Sequence, residues 1–519
     1  MASIIGAGTA EQALEVVSER SRRRRWRPPG SLAVAVLLLL LLRLPSLFEP
    51  HWYTDEAGYA NTAWQMMHGK VLYLSVWNNK PPLLFWIYQL ALVGFGPSEF
   101  GLHLLSAAAE AATLAAIWRL QRLAWPGRGQ WVGMLAGAVL LGLPLLLGDL
   151  ALPENFLIAP EAWGLVLVLE ASRRNPGRDQ YLLAVGAGVL AAGASLVQQT
   201  ALGGAVLGVV LLAILPGRRG WAAAGLMAAT GAVVVGLVLA PSIVAAGWHN
   251  VFFFVVSSYG GYTARTLPFN LLSVAPRVAA GALLAGGLVL ARRRAPALVL
   301  IWGWLAVELF IYMLPNRAYP FHLLPAAVPL AVLLGGVKRP RWAAGKSLAA
   351  WSIVPLVGSA LLSGGIWFGM FASSAAQGSL YTVARSEAYY QTFLGRVTGA
   401  LSVVQYDDFF DRRVIAEAAA SHWLQTHHLA GSTAVVWSAD SWAYLLTPLK
   451  PVLPAPPIYK DFDWLGGSQL LASTTRLRPR VIVVTNDALG SFGPLQGLLD
   501  ARYRKVEVTA DGAVWTLRR

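Results

Sequence analysis

The chain has 519 residues, 56% hydrophobic and 13% charged, with a mean hydropathy of +0.54 and no cysteine. Soluble domains carry about 25% charged residues, so much of this surface faces lipid. The lack of cysteine excludes disulfides, thiolate zinc sites, iron–sulfur clusters and cysteine nucleophiles. The net charge of +15 falls largely in short loops between apolar runs, which points to membrane topology rather than nucleic-acid binding.

Residues 1–30 form a basic tail with Arg22, Arg23, Arg24 and Arg25. The apolar run behind it has the make-up of a signal peptide. However, a long tail precedes it and "RLPSLFEP" offers no small-x-small cleavage site, so it reads as an uncleaved first span. Spans of bilayer length are expected at 31–48, 99–118, 131–148, 155–172, 181–197, 200–215, 221–247, 271–291, 296–314, 320–337 and 347–371, about eleven in all. The segment 81–96, "PPLLFWIYQLALVGFG", is apolar but bounded by Pro-Pro and Gly-Phe-Gly-Pro. Treating it as a short interfacial helix keeps Arg119, Arg122, Arg173, Arg174, Arg218, Arg219, Arg292, Arg293 and Arg294 on the cytoplasmic side with the tail, whereas counting it as a span inverts them.

This topology gives a multi-pass cell-membrane protein with a cytoplasmic N-terminus. It makes 49–98 one long outer loop with short helices near 55–68 and 82–95. Composition shifts after residue 371. The segment 405–428 reads as one amphipathic helix, "STAVVWSAD" (432–440) and "RVIVVTND" (480–487) as buried strands, and 503–519 as a hairpin turning at Asp511-Gly512. The expected fold is therefore an all-α polytopic membrane domain, 31–371, followed by an extracytoplasmic α/β domain, 372–519. That outer domain shows neither a phosphate loop nor a triad and reads as a lid or scaffold.

The polar residues of interest gather on the outer loops. "HWYTDEAGYA" places Asp55 and Glu56 at the start of a helix. They suit a first turn, with Thr54 as cap, but ionisable groups beside a membrane are costly and usually functional. "WNNKPPLLFW" sets Lys80 before a stiff Pro-Pro turn, either as an interfacial lysine whose stem lies on apolar surface or as a cation held near Asp55. "YMLPNRAYPFHLLP" groups Arg317, Tyr319 and His322, as interface anchors or as ligands of an anion. Glu154 stands at another outer loop as helix acid or site wall. Tyr259 and Arg265 belong to an aromatic outer loop able to close over a lipid-linked ligand. Glu308, inside a span, reads as part of an internal ion pair. HExxH, P-loop, GxSxG and metal-spaced histidine clusters are all missing from the sequence. An acid facing several cations, open sideways to lipid, suits a substrate with a phosphate and a polyprenyl tail.

The order "TDEAGYA", "NKPPLLFW", "EFGLHLLSA", followed by "NRAYPFHLLPAAVPLAVLLGG", resembles the GT-C superfamily of integral-membrane glycosyltransferases. Within it the likeness is to the dolichyl-phosphate-mannose–protein mannosyltransferase-like proteins and the bacterial lipid A aminoarabinose transferases. The resemblance implies inverting transfer of a hexose or pentose from a polyprenyl-phosphate donor to a protein, glycan or lipid acceptor at the outer face. It puts the base on Asp55 and the phosphate ligands on Lys80 and Arg317. The places of Glu56, Tyr319, His322, Glu154, Tyr259 and Arg265 on the outer loops make them further expected substrate contacts. No cofactor motif stands out; a divalent metal stays open because some superfamily members use one. The relatives often carry His or Glu where Asn79 stands, arginine at His103, and Lys-Gln at Gln198-Gln199. The rival readings are a transporter or flippase for lipid-linked substrates, which tends to place charge at mid-membrane in repeated halves, and an envelope assembly protein.

Overall fold

The structure, a computed structural model, describes residues 30–126, 130–214, 218–258, 296–313, 319–336, 383–438, 440–454, 467–485, 493–509 and 511–518. The expected spans at 271–291 and 347–371 lie outside the described residues, as do Arg317, Tyr259 and Arg265.

In chain order, α1 (Gly30–Arg43) runs into a 3₁₀ turn at Leu44–Phe48 and is followed by two short helices, α2 (Thr54–Met67) and α3 (Pro82–Phe95). Next come α4 (Glu99–Ala124), α5 (Trp131–Gly142), α6 (Pro153–Ala171), α7 (Arg178–Val197), α8 (Leu202–Ala213), α9 (Arg218–Ala246) and α10 (Trp248–Phe252). Two further apolar helices follow, α11 (Pro296–Met313) and α12 (Leu324–Leu334). The C-terminal part holds α13 (Val383–Val397), α14 (Val403–Phe410), α15 (Arg412–Thr426), β1 (Thr433–Trp437), α16 (Ala443–Leu446), β2 (Lys450–Pro451), α17 (Gly467–Leu477), β3 (Val481–Thr485), α18 (Gly493–Arg502), β4 (Tyr503–Thr509) and β5 (Gly512–Leu517).

Four of the expected spans are long and apolar enough to cross a bilayer: Gly30–Phe48, Glu99–Ala124, Arg178–Val197 and Gly220–Ala246. The others described are shorter or less apolar. The run at 131–148 breaks because Leu143 is extended (ψ 144°) and Pro144 opens a 3₁₀ turn, as a residue before proline prefers. Helix α6 covers the expected span at 155–172 but carries Glu154, Glu161 and Glu170. The 81–96 segment forms a 14-residue helix entered through extended Pro81 and closed by Gly96 at φ +74°, a conformation that glycine adopts without strain.

Helices α6, α7 and α9 stack side by side. Where α7 meets α9, a Cβ at Gly188 would stand 2.5 Å from the Met227 carbonyl oxygen, so only glycine allows that approach. Outward-facing aliphatics such as Val93 (72% exposed) and Val244 (87%) leave apolar bands suited to lipid.

The interior of this apolar bundle holds a buried ion pair. Arg43, 1% exposed at the end of α1, has its Nε 3.3 Å from Glu110 Oε2 on α4. Its guanidinium also donates to Ser106 Oγ at 2.7 Å and to the carbonyls of His103 and Gly148. Glu110 in turn accepts from Asn155 Nδ2 of α6 at 2.9 Å. A charge taken out of water survives only when paired and hydrogen-bonded, so this network fixes how α1, α4 and α6 meet.

The C-terminal sheet has the order β2-β1-β3-β5-β4. β1 runs parallel to β2 and β3, β5 antiparallel to β3, and β4–β5 is the hairpin expected at its end. The single helix expected at 405–428 is instead two. Asp411 is extended (φ −164°, ψ 135°) and its carboxylate accepts the Arg413 N–H at 2.8 Å; a short polar side chain that can cap stops one helix and starts the next. This region rests directly on the loop after α1 and on α2. Trp442 stacks on His51 at 4.0 Å, Ser441 Oγ donates to the Ala57 carbonyl at 3.1 Å, and the Tyr389 hydroxyl donates to Glu49 at 2.5 Å.

Breaking the ion pair from one side leaves a buried charge. Arg43→Met should destabilise by about 3–5 kcal/mol, seen as a lower melting temperature of the purified protein, and adding Glu110→Leu should recover part of the loss. An unchanged melting temperature in Arg43→Met would show that the pair carries no stability.

Candidate active site

Helix α2 begins at Thr54 itself, with extended Tyr53 as the cap residue and no side-chain cap bond, so Asp55 and Glu56 lie in its first turn. Neighbouring residues on a helix diverge by about 100°, and the two carboxylates part company. Glu56 is fully buried, accepts the Ala151 N–H, and faces His103 Nε2 at 3.2 Å. The structure thus turns Glu56 into the protein.

Asp55 is only partly buried. Desolvation pushes its carboxyl up to about 6, Lys80 pulling it down as the strongest charge acting on it, with Glu154 opposing and His322 assisting. Four residues from four segments therefore share one electrostatic neighbourhood: Asp55 on α2, Lys80 before α3, Glu154 at the start of α6 and His322 before α12.

Lys80 is 9% exposed. Its N–H donates to Asn78 Oδ1 at 3.2 Å, its carbonyl accepts the Tyr73 hydroxyl at 2.7 Å, and Asn78 Nδ2 donates to Thr62 of α2 at 3.2 Å. Tyr73 sits at φ +68°, a strained value for a bulky residue, and is locked by its N–H bond to Val76 and a stack on Phe254. The Lys80 ammonium donates to Gln198 Oε1 at 3.3 Å, and Gln198 Nε2 donates to Glu154 Oε1 at 2.8 Å. The same Glu154 oxygen meets His322 Nδ1 at 2.9 Å. Next along the chain, Gln199 Nε2 donates to the carbonyls of Asn79 and Val255, both at 2.8 Å.

Gln198 and Gln199 are thus the brace between the Lys80 turn, α6 and the segment after α10, a role the sequence does not announce because it depends on where α7 ends. Tyr319 stacks on Phe321 at 5.4 Å and stands edge-on to His322 at 6.1 Å, walling the imidazole. Glu308 accepts from Trp304 Nε1 at 3.1 Å.

Around Asp55 the carboxylates face a lysine and a histidine. Among the described residues, metal-ligand spacing is met instead by Glu56, Glu99 and His103. The clue in the sequence was Glu99 and His103 four apart on one helix face.

The sequence profile described as Dolichyl-phosphate-mannose-protein mannosyltransferase matches residues 79–244. An undecaprenyl phosphate-alpha-4-amino-4-deoxy-L-arabinose arabinosyl transferase of Proteus mirabilis (strain HI4320) is 23% identical over 329 residues, 59% of this chain and 58% of that protein's length. In fold, the chain is similar to ArnT from Cupriavidus metallidurans bound to undecaprenyl phosphate, with a TM-score of 0.58 and 18% identity over 94% of this chain and 98% of that one. It is also similar to the apo oligosaccharyltransferase of Archaeoglobus fulgidus, with a TM-score of 0.50 and 12% identity over 89% and 70%. In sequence across its middle and in fold along most of its length, the chain resembles the GT-C integral-membrane glycosyltransferases, the mannosyltransferase-like and aminoarabinose-transferase proteins among them.

Proposed function

We propose that this protein is an inverting glycosyltransferase that moves a sugar from a polyprenyl-phosphate donor to an acceptor hydroxyl at the outer face of the cytoplasmic membrane. The observation that carries the reading is the convergence of Asp55, Lys80, Glu154 and His322 from remote segments at one place beside apolar helices. The similarity to a fold solved with undecaprenyl phosphate bound supports the donor class.

A phosphate is a good leaving group, so the acid that a glycosidase needs to protonate its leaving oxygen can be dispensed with. What is required is a base for the acceptor hydroxyl and positive charge for the departing phosphate. In a single displacement, the acceptor oxygen attacks the anomeric carbon as Asp55 takes its proton. The anomeric C–O bond to phosphate breaks on the opposite side, and the polyprenyl phosphate leaves with its charge beside Lys80. Glu154, held by His322 and Gln198, keeps the wall of the site and the Lys80 ammonium in place. Arg317, Tyr259 and Arg265 are assigned to donor phosphate and tail by the sequence reading alone. The acceptor is a hydroxyl of protein, glycan or lipid.

Asp55→Asn keeps shape and removes the base, so transfer of labelled sugar from a polyprenyl-phosphate donor should fall about 10²–10⁴-fold with expression unchanged. A near-full rate would remove Asp55 from the mechanism. Lys80→Ala should raise the donor KM and lower kcat; unaltered kinetics would sink its assignment.

The sign of the pH dependence follows from Asp55 acting as a base. Activity should rise with pH through about 6 as the carboxyl ionises, and be lost below it. Because Lys80 lowers that value, the residual activity of Lys80→Met should show its acid limb displaced to higher pH. A limb that stays in place in this variant would mean that Lys80 does not act on Asp55.

A further inference from the structure

We propose that Glu56, Glu99 and His103, joined by His51 at the rim, form a binding site for a divalent metal of the zinc class, distinct from the cluster around Asp55. Glu99 and His103 lie one turn apart on α4, and Glu56 reaches them from α2. Their ligand atoms all fall within 4.8 Å of one another. His103 Nε2 is 3.2 Å from Glu56 Oε1 and 3.6 Å from Glu99 Oε2, and His51 Nδ1 is 3.4 Å from Glu99 Oε1. A tetrahedral ion with bonds of about 2.1 Å has ligand-to-ligand edges of about 3.4 Å, close to the two distances His103 Nε2 keeps from the carboxylates.

Two further observations point to a ligand. Glu99 is 2% exposed, yet neither of its carboxylate oxygens receives a hydrogen bond, an arrangement that is costly unless a cation completes it. His103 Nδ1 lies 2.6 Å from the Ser46 carbonyl oxygen. A carbonyl only accepts, so the Nδ1 proton is committed there and the Nε2 edge faces two carboxylates. With a neutral ring, the Nε2 lone pair meets those of the carboxylates, and that arrangement needs a positive centre between them. An imidazole oriented through its far nitrogen by a backbone carbonyl is the usual support of a metal-bound histidine.

Two carboxylates and neutral imidazoles balance a 2+ ion, and a nitrogen–oxygen donor set without sulfur suits Zn²⁺ or Mn²⁺ better than Mg²⁺. The ion would clamp the first turn of α2 and residue 51 to the start of α4, fixing the helix that presents Asp55. Trp442, stacked on His51, closes the rim. Its role is structural, and the proposal stands apart from the proposed sugar transfer.

The test uses the purified full-length chain in detergent, stripped with chelator and titrated with Co²⁺, then with Zn²⁺. The expected result is the visible absorption of tetrahedral Co²⁺ saturating at about one equivalent and displaced by Zn²⁺, with chelator-resistant zinc measured by mass spectrometry. Glu99→Gln and His103→Gln should weaken binding about 100-fold, and Asp55→Asn should leave it unchanged. A wild-type chain with no Co²⁺ band and no retained zinc overturns the site, a proton on His103 Nε2 then being the positive centre; that titration decides the matter even if a variant fails to fold. Zinc held equally well by Glu99→Gln overturns it too.

Discussion

The arrangement rests on one constraint, the need to satisfy charge buried inside an apolar bundle. Arg43 ends the first long helix with its guanidinium shut away from water, where a lone charge is untenable. It is met by Glu110 and by carbonyls of the chain around Gly148. Beside it, Glu56 on α2 faces His103 on α4 and takes the N–H of Ala151. Few geometries satisfy all these groups at once, so α1, α2, α4 and the loop before α6 are locked to one another. Non-directional apolar packing would let such helices slide; directional polar bonds in a low-dielectric interior do not.

From this base the divergence of two adjacent acids acquires meaning. Glu56 anchors α2 to Ala151 and His103, which leaves Asp55 about a third of a turn away, within the electrostatic reach of Lys80, Glu154 and His322. The anchor and the reactive candidate are neighbours in sequence and opposite in role. The lysine is held equally firmly: its backbone is tied through Tyr73 and Asn78, its ammonium through Gln198. Partial burial raises the Asp55 carboxyl toward neutrality while the lysine restrains that rise, which leaves a carboxylate basic enough to take a proton and still ionised near pH 7.

The C-terminal part is bound to this end of the bundle rather than suspended from it. Its contacts fall on His51, Ala57 and Glu49, the same short stretch that leads into α2. Anything that shifts the sheet and its helices therefore bears on the helix carrying Asp55, and a lid or scaffold role for this region has a physical route.

Sequence alone determined what is local. Apolar length marked spans at 31–48, 99–118, 181–197 and 221–247, which form the long helices Gly30–Phe48, Glu99–Ala124, Arg178–Val197 and Gly220–Ala246; Pro81-Pro82 and Gly96 bounded the short helix after the first, and the buried runs at 432–440 and 480–487 with the Asp-Gly turn placed four strands of the sheet. Residue order also singled out Asp55, Lys80, Glu154 and His322 as polar groups on loops. Tertiary structure decided the rest: that Glu56 turns inward, that Asp411 splits a helix, that Gln198 bridges Lys80 to Glu154 across 118 and 44 residues of chain, and that Glu99, His103 and Glu56 meet. Period and composition report which way a side chain faces on its own helix. Which other helix it faces depends on packing between segments far apart in the chain, and no local pattern encodes that.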